Sequence, residues 1–146
     1  MSRGRITETY VAALQHDLVD LDEDTQLVGV VRRPTRWFNP RVDENITALA
    51  PPEDLFTDFQ DRRDELEAEG HSEEAAHNQA WTDVDYDRRY REHIEAAPEA
   101  QAAVNELLDR VESGADIALV CYENTEHKRC HRTVLRGHLE AELEKR

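Results

Sequence analysis

The segment Cys121-Tyr122-Glu123-Asn124-Thr125-Glu126-His127-Lys128-Arg129-Cys130-His131-Arg132 places two thiols, two imidazoles and three cationic side chains within twelve residues. No other stretch of the chain is as dense in groups that do chemistry, so the functional reading starts here. An apolar run precedes Cys121, and an amphipathic run follows Cys130. One cysteine therefore ends a strand and the other opens a helix. Helix starts present free backbone N–H groups and a positive dipole end. A thiol in that position, beside Arg129, His131 and Arg132, ionises more readily than a free cysteine.

Three chemistries fit these residues. The first is a nucleophilic or redox site. Cys130 or Cys121 attacks, His131 accepts a proton, and Glu123 orients His131 or an arginine. Arg132, with Arg33 and Arg36 from an earlier loop, then binds the anionic part of a substrate. The second is zinc held by Cys121, His127 and Cys130, with His131 as a further candidate. The spacing argues against it, because no CxxC pair is present and the adjacent Cys130 and His131 do not easily reach one ion. The third is structural: Cys121 is a small apolar residue of the strand and His131 packs. A phosphatase-type loop needs Cys and Arg with five residues between them, directly after a strand. From Cys121 the required position holds His127. His93-Ile94-Glu95 matches half of a zinc-deaminase pattern, and its Pro-Cys-x-x-Cys partner is missing. His77, Asn78 and Trp81, followed by Tyr86 and Tyr90, form an aromatic and polar stretch that fits either a binding face or core packing.

The C-terminal pattern resembles the DUF488 family (domain of unknown function 488). That family has an apolar strand running into Cys-x-Glu, a polar loop, and Cys-His-Arg opening a helix. Here these are Val120-Cys121-Tyr122-Glu123 and Cys130-His131-Arg132. The Arg33-Pro34 segment, with Arg36 nearby, is similar to the family's early Arg-Pro segment. The resemblance implies a compact Rossmann-like α/β fold in which the early arginine and the late cysteine segments converge on one pocket of Arg33, Cys121, Glu123, Cys130, His131 and Arg132. It implies no particular activity.

The elements that must position these groups follow from periodicity. Gly4 to Leu14 reads as a strand and the start of a helix. Gln26 to Val31 is a short β-branched run, hence a buried strand. Two prolines, Pro34 and Pro40, place the next stretch in a loop, and Val42 to Ala50 is irregular. Helices follow. One starts after Pro52 with Glu53 and Asp54 in its first turn and stops at Gly70. One is capped by Ser72 and reaches Trp81. A third carries Tyr86, Tyr90 and Ile94 after a weak cap at Thr82 to Asp85. A fourth, opened by Pro98, has Val104, Leu107, Leu108 and Val111 as a stripe and ends at Gly114. Asp116 to Tyr122 suits a strand covered on both faces. A loop spans Glu123 to Arg129, and a last helix starts near Cys130. The expected architecture is a small Rossmann-like open sheet, mostly parallel, with flanking helices and a helical insertion in mid-chain, forming one domain over residues 1–146.

Composition narrows the setting. Of 146 residues, 33 are acidic and 18 basic, a formal net charge of −15, and Lys128 and Lys145 are the only lysines. The acids are interspersed with apolar positions at helical spacing, so the charge coats a folded surface. A lysine-poor acidic surface suits molar salt, which screens self-repulsion while carboxylates hold water. A halophile's cytosolic protein is the expectation. General duplex binding is disfavoured, because phosphate neutralisation needs cationic surface and weakens with salt. No apolar run approaches the ~20 residues of a membrane span, and Met1 to Arg5 lacks the apolar stretch of a signal peptide. The function expected is a small enzyme with an activated Cys/His/Arg site for an anionic, nucleotide-like ligand, with no cofactor. The alternatives are a non-catalytic module binding a nucleotide or nucleic-acid end, and a structural zinc site.

Overall fold

A computed structural model describes residues 3–123 and 127–146. Four strands, β1 (Ile6–Tyr10), β2 (Gln26–Gly29), β3 (Glu44–Asn45) and β4 (Ile117–Cys121), form one sheet in the order β1-β4-β2-β3. Every pairing is parallel, so the sheet is uniformly rather than mostly parallel. Every residue of β4, Ile-Ala-Leu-Val-Cys, is buried. That is the signature of a central parallel strand with both faces covered.

The stretch expected to be irregular, Val42 to Ala50, contains β3. This edge strand is only two residues long, too short to leave a periodic signal. Asn45 also mimics backbone pairing: its side chain accepts from Val31 N (3.1 Å) and donates to Val31 O (3.0 Å). Gly29, at the end of β2, permits this close approach. A Cβ there would lie 2.6 Å from Asn45 Oδ1 and from Phe38 Cε1.

A short helix α1 (Val11–Gln15) continues directly from β1. Between β3 and β4 run four helices, α2 (Glu53–Ala68), α3 (Glu73–Asp83), α4 (Tyr86–Ala96) and α5 (Pro98–Glu112), which are the expected insertion. Their boundaries follow local chemistry. Ser72 Oγ accepts from Ala75 N at 3.1 Å and caps α3. Gly70 and Gly114 take positive φ after α2 and α5. The α3–α4 corner differs from the expected side-chain cap. Asp85 turns the chain by adopting left-handed φ 56° and makes no cap hydrogen bond. The final helix α6 (His131–Glu144) starts directly after Cys130.

Two apolar clusters result. The larger joins the inserted helices to the sheet through residues such as Leu55, Tyr90, Leu107, Ile117 and Leu135. The smaller contains Val11, Val31, Phe38, Val120, Cys121 and Cys130, and lies at the carboxyl ends of the strands. No helix among the described residues is long and apolar enough to cross a membrane.

Candidate active site

The strand register brings the site together. Tyr10 of β1 pairs with Cys121 of β4, and Gly29 of β2 pairs with Val120. Their carboxyl ends form the rim where α/β sheets bind ligands. The start of α6 is fixed against this rim. His131 Nε2 lies 2.5 Å from Val30 O. A carbonyl oxygen only accepts, so Nε2 carries the proton and Nδ1 is left with its lone pair. Nδ1 faces Cys130 Sγ at 3.7 Å. A backbone carbonyl one residue past β2 thus sets the tautomer and leaves the Nδ1 lone pair facing Cys130. Burial holds the imidazole below its ordinary pKa, so it rests neutral.

Arg132 follows and is 2% exposed. Its Nη1 donates to Cys121 Sγ at 2.7 Å and to Glu123 O at 2.5 Å, while Nε donates to Glu8 Oε1 at 3.2 Å. Glu8 also accepts from Thr133 Oγ1 at 2.7 Å and meets Arg136 Nη1 at 3.6 Å. A full positive charge is thereby held beside both sulfurs.

The thiols titrate as a pair. Burial opposes ionisation of Cys130, but the hydrogen bond from Cys121, the Arg132 charge and the Arg132 backbone amide outweigh it and pull its pKa down. Burial and the neighbouring Cys130 push Cys121 well up. The short Arg132–Cys121 bond alone would favour charge on Cys121. The donors converging on Cys130, however, include Cys121 itself, so we assign the first negative charge to Cys130 and keep Cys121 as the thiol.

Both sulfurs line a cavity of about 270 Å³. Its walls include Phe56, Phe59, Trp81 and Tyr86, and its cationic groups are Arg32, Arg33, Arg63 and Arg129. Trp81 and Tyr86 stack at 3.9 Å and 8°. Cys130 also borders a second opening, a groove of about 710 Å³ between α4 and α6 that shares Arg129 and Trp81 with the cavity.

Arg33 reaches the cavity because Tyr122 ties its loop to β4. Tyr122 Oη donates to Arg33 O (3.1 Å) and accepts from Thr35 N (3.0 Å). The Arg33 guanidinium lies over the Phe56 ring and pairs with Glu53 at 2.6 Å. Arg36 is exposed in that loop and does not line the cavity. Arg132 does not line it either; its donors are turned to sulfur, Glu123 O and Glu8. Glu123 borders the cavity, but its carboxylate meets Lys128 at 3.7 Å, and Val30 O orients His131 in its place. His127 is exposed and meets Glu74 at 3.8 Å, away from the zinc set proposed with Cys121 and Cys130. Among the described residues no group of three or more His, Cys, Asp or Glu side chains is arranged to hold a metal. The expected loop from Glu123 to Arg129 includes residues 124–126, which lie outside the described residues.

Sequence reasoning missed two sets of positioning residues. Glu8 carries no local signal that would pair it with Arg132, which lies 124 residues away. His77 and Asn78 were noted only as part of an aromatic stretch, yet they clamp the loop before Cys130. His77 Nε2 donates to Arg129 O at 2.7 Å, and burial keeps this imidazole neutral. Asn78 donates to His127 O (2.9 Å) and accepts from Arg129 N (3.1 Å).

A small α/β protein with a wholly parallel, Rossmann-like sheet is the class the fold defines. Within that class the chain belongs to the DUF488 family: the family model described as Active DUF488-N3 subclade matches residues 10–143. No curated protein and no solved structure gives a significant match.

Proposed function

We propose that this protein is a thiol-dependent enzyme acting on a small anionic ligand with an aromatic, nucleotide-like part. The carrying observation is the Cys130–His131 pair, with Nδ1 unprotonated at 3.7 Å from Sγ because Val30 O holds the other ring proton. This is the nucleophile–base–orienter arrangement of covalent catalysis. Cys130 attacks, His131 accepts a proton, and Arg132 offsets negative charge at the sulfurs. Arg33, Arg63 and Arg129 suit an anion, and the Trp81–Tyr86 stack suits a flat ring. The word Active in the matched subclade's description agrees with catalysis.

The test is the pH profile of iodoacetamide labelling, read by mass spectrometry. Cys130 labels with a midpoint below the ordinary thiol value of 9.0, and Cys130→Ser ends turnover while ligand binding persists. The rival reading is a non-catalytic binding module, favoured by the burial of both sulfurs, which are 1% and 5% exposed. It requires inert thiols and a loss of binding on removing Arg33 or Arg129.

The setting we propose is the cytosol of a halophile. The support is a charge of −15 with only two lysines among 18 basic residues. Thermal stability should rise from low salt to molar potassium chloride; a fall would remove this reading.

A further inference from the structure

Cys121 has no part in the nucleophilic reading beyond donating to Cys130, although it is the second sulfur of one cavity. The two thiols come from different elements, the end of β4 and the residue before α6. Arg132 bonds the sulfur of one and presents its backbone amide to the other. We propose that Cys130 and Cys121 form a dithiol redox pair that reduces small hydroperoxides, an activity that rests on the thiolate assigned above.

The Cys130 thiolate attacks the terminal oxygen of a hydroperoxide. An S–O bond forms, the O–O bond breaks, and the alkoxide leaves and takes a proton from water entering the cavity to become the alcohol. Cys130 is now a sulfenic acid. The Cys121 thiol loses its proton, and the Nδ1 of His131, which faces the Cys130 sulfur that Cys121 will bond, is the base that takes it. Its sulfur then attacks Cys130; the S–S bond forms and hydroxide leaves as water with that proton. Two electrons pass from the dithiol to the peroxide, and an external dithiol reduces the disulfide and closes the cycle. Low-pKa thiols beside a resolving cysteine are the ones that follow this route. The Arg132 guanidinium, 2.7 Å from the resolving sulfur, is placed to stabilise the departing oxyanion. Entry needs little space, and Cys130 borders both the cavity and the α4–α6 groove.

The experiment treats the full-length reduced protein with stoichiometric hydrogen peroxide and maps the products by peptide mass spectrometry, with iodoacetamide profiles taken on the same preparation. The expected result is one intramolecular Cys121–Cys130 disulfide per chain, reversed by dithiothreitol. Cys121→Ser and Cys121→Ala should form none, and should instead give Cys130 sulfenic acid trapped by dimedone. Cys130→Ser should consume no peroxide. A Cys130 that labels fast with iodoacetamide, yet yields no Cys121–Cys130 disulfide, overturns the redox pair and leaves the nucleophile standing. Slow labelling of Cys130 together with no disulfide overturns both.

Discussion

Glu8 Oε1 of β1 sits 3.2 Å from Arg132 Nε of α6, joining the first strand to the last helix beneath the two sulfurs. This pair decides how much of the guanidinium charge the thiols feel. Glu8→Gln keeps hydrogen-bonding atoms and removes the competing negative charge. The midpoint for Cys130 labelling should therefore move to lower pH. Stability should fall by about 1–3 kcal/mol, the usual cost of losing a charged hydrogen bond. A midpoint that rises would show that Glu8 does not compete with the sulfurs for Arg132. Denaturant titration and the labelling profile, run on the same variant, give both numbers.

The two buried imidazoles make the fold acid-sensitive. Burial depresses the pKa of His77 and of His131 below the ordinary 6.5. Below that value the unfolded chain takes up protons that the folded chain refuses, so stability rises with pH through this window. It is complete above pH 6.5 and declines as pH falls toward the depressed folded values. The decline starts above the range of Glu73 and Asp83, whose pKa values lie below their ordinary 4.5 and 3.8 because Lys128 and Arg62 hydrogen-bond to them. His77→Gln should flatten the slope below pH 6.5 by up to one proton's share. An unchanged slope would mean that His77 is not buried neutral.

Asn78 tests the clamp on the loop before Cys130. Asn78→Ala removes its bonds to His127 O and Arg129 N. Amide exchange at Arg129 should speed up, and stability should drop by about 1–2 kcal/mol. Labelling of Cys130 should lose part of its pH shift, because the helix start is less firmly held. Exchange at the β4 amides should stay unchanged, which separates local loosening from general unfolding.

Gly29 tests the close approach at the end of β2. In Gly29→Ala the new methyl meets Asn45 Oδ1 and Phe38 Cε1 at 2.6 Å. One of them must move, at about 1–3 kcal/mol. Phe38 packs on Tyr122 at 4.9 Å, so near-ultraviolet dichroism should change along with the unfolding midpoint.

Local chemistry made most elements legible. The β-branched runs marked β2 and β4, Ser72 and Pro98 marked helix starts, and Gly70 and Gly114 marked ends. Edge strand β3 is not legible, since two residues leave no alternation to read, although its backbone pairs with β2. In the site, the dense segment from Cys121 to Arg132 named the thiols and His131. It could not name their partners. Glu8 lies 124 residues before Arg132, and Val30 lies 101 before His131. Such pairings are set by strand order, and nothing in the local sequence records them. For the same reason Arg132 looked like a ligand-binding arginine, while the fold turns it toward sulfur.

Strand order has one more consequence. β4 lies between β1 and β2, which do not pair with each other. Until residues 117–121 emerge during synthesis, the sheet is a slot with two bare edges, and α6 is not yet available to close it. The thiolate proposed at Cys130 therefore forms only as the fold completes. Before that point the sheet has unpaired strand edges, the kind of surface that exposes a partly folded chain to pairing with another strand.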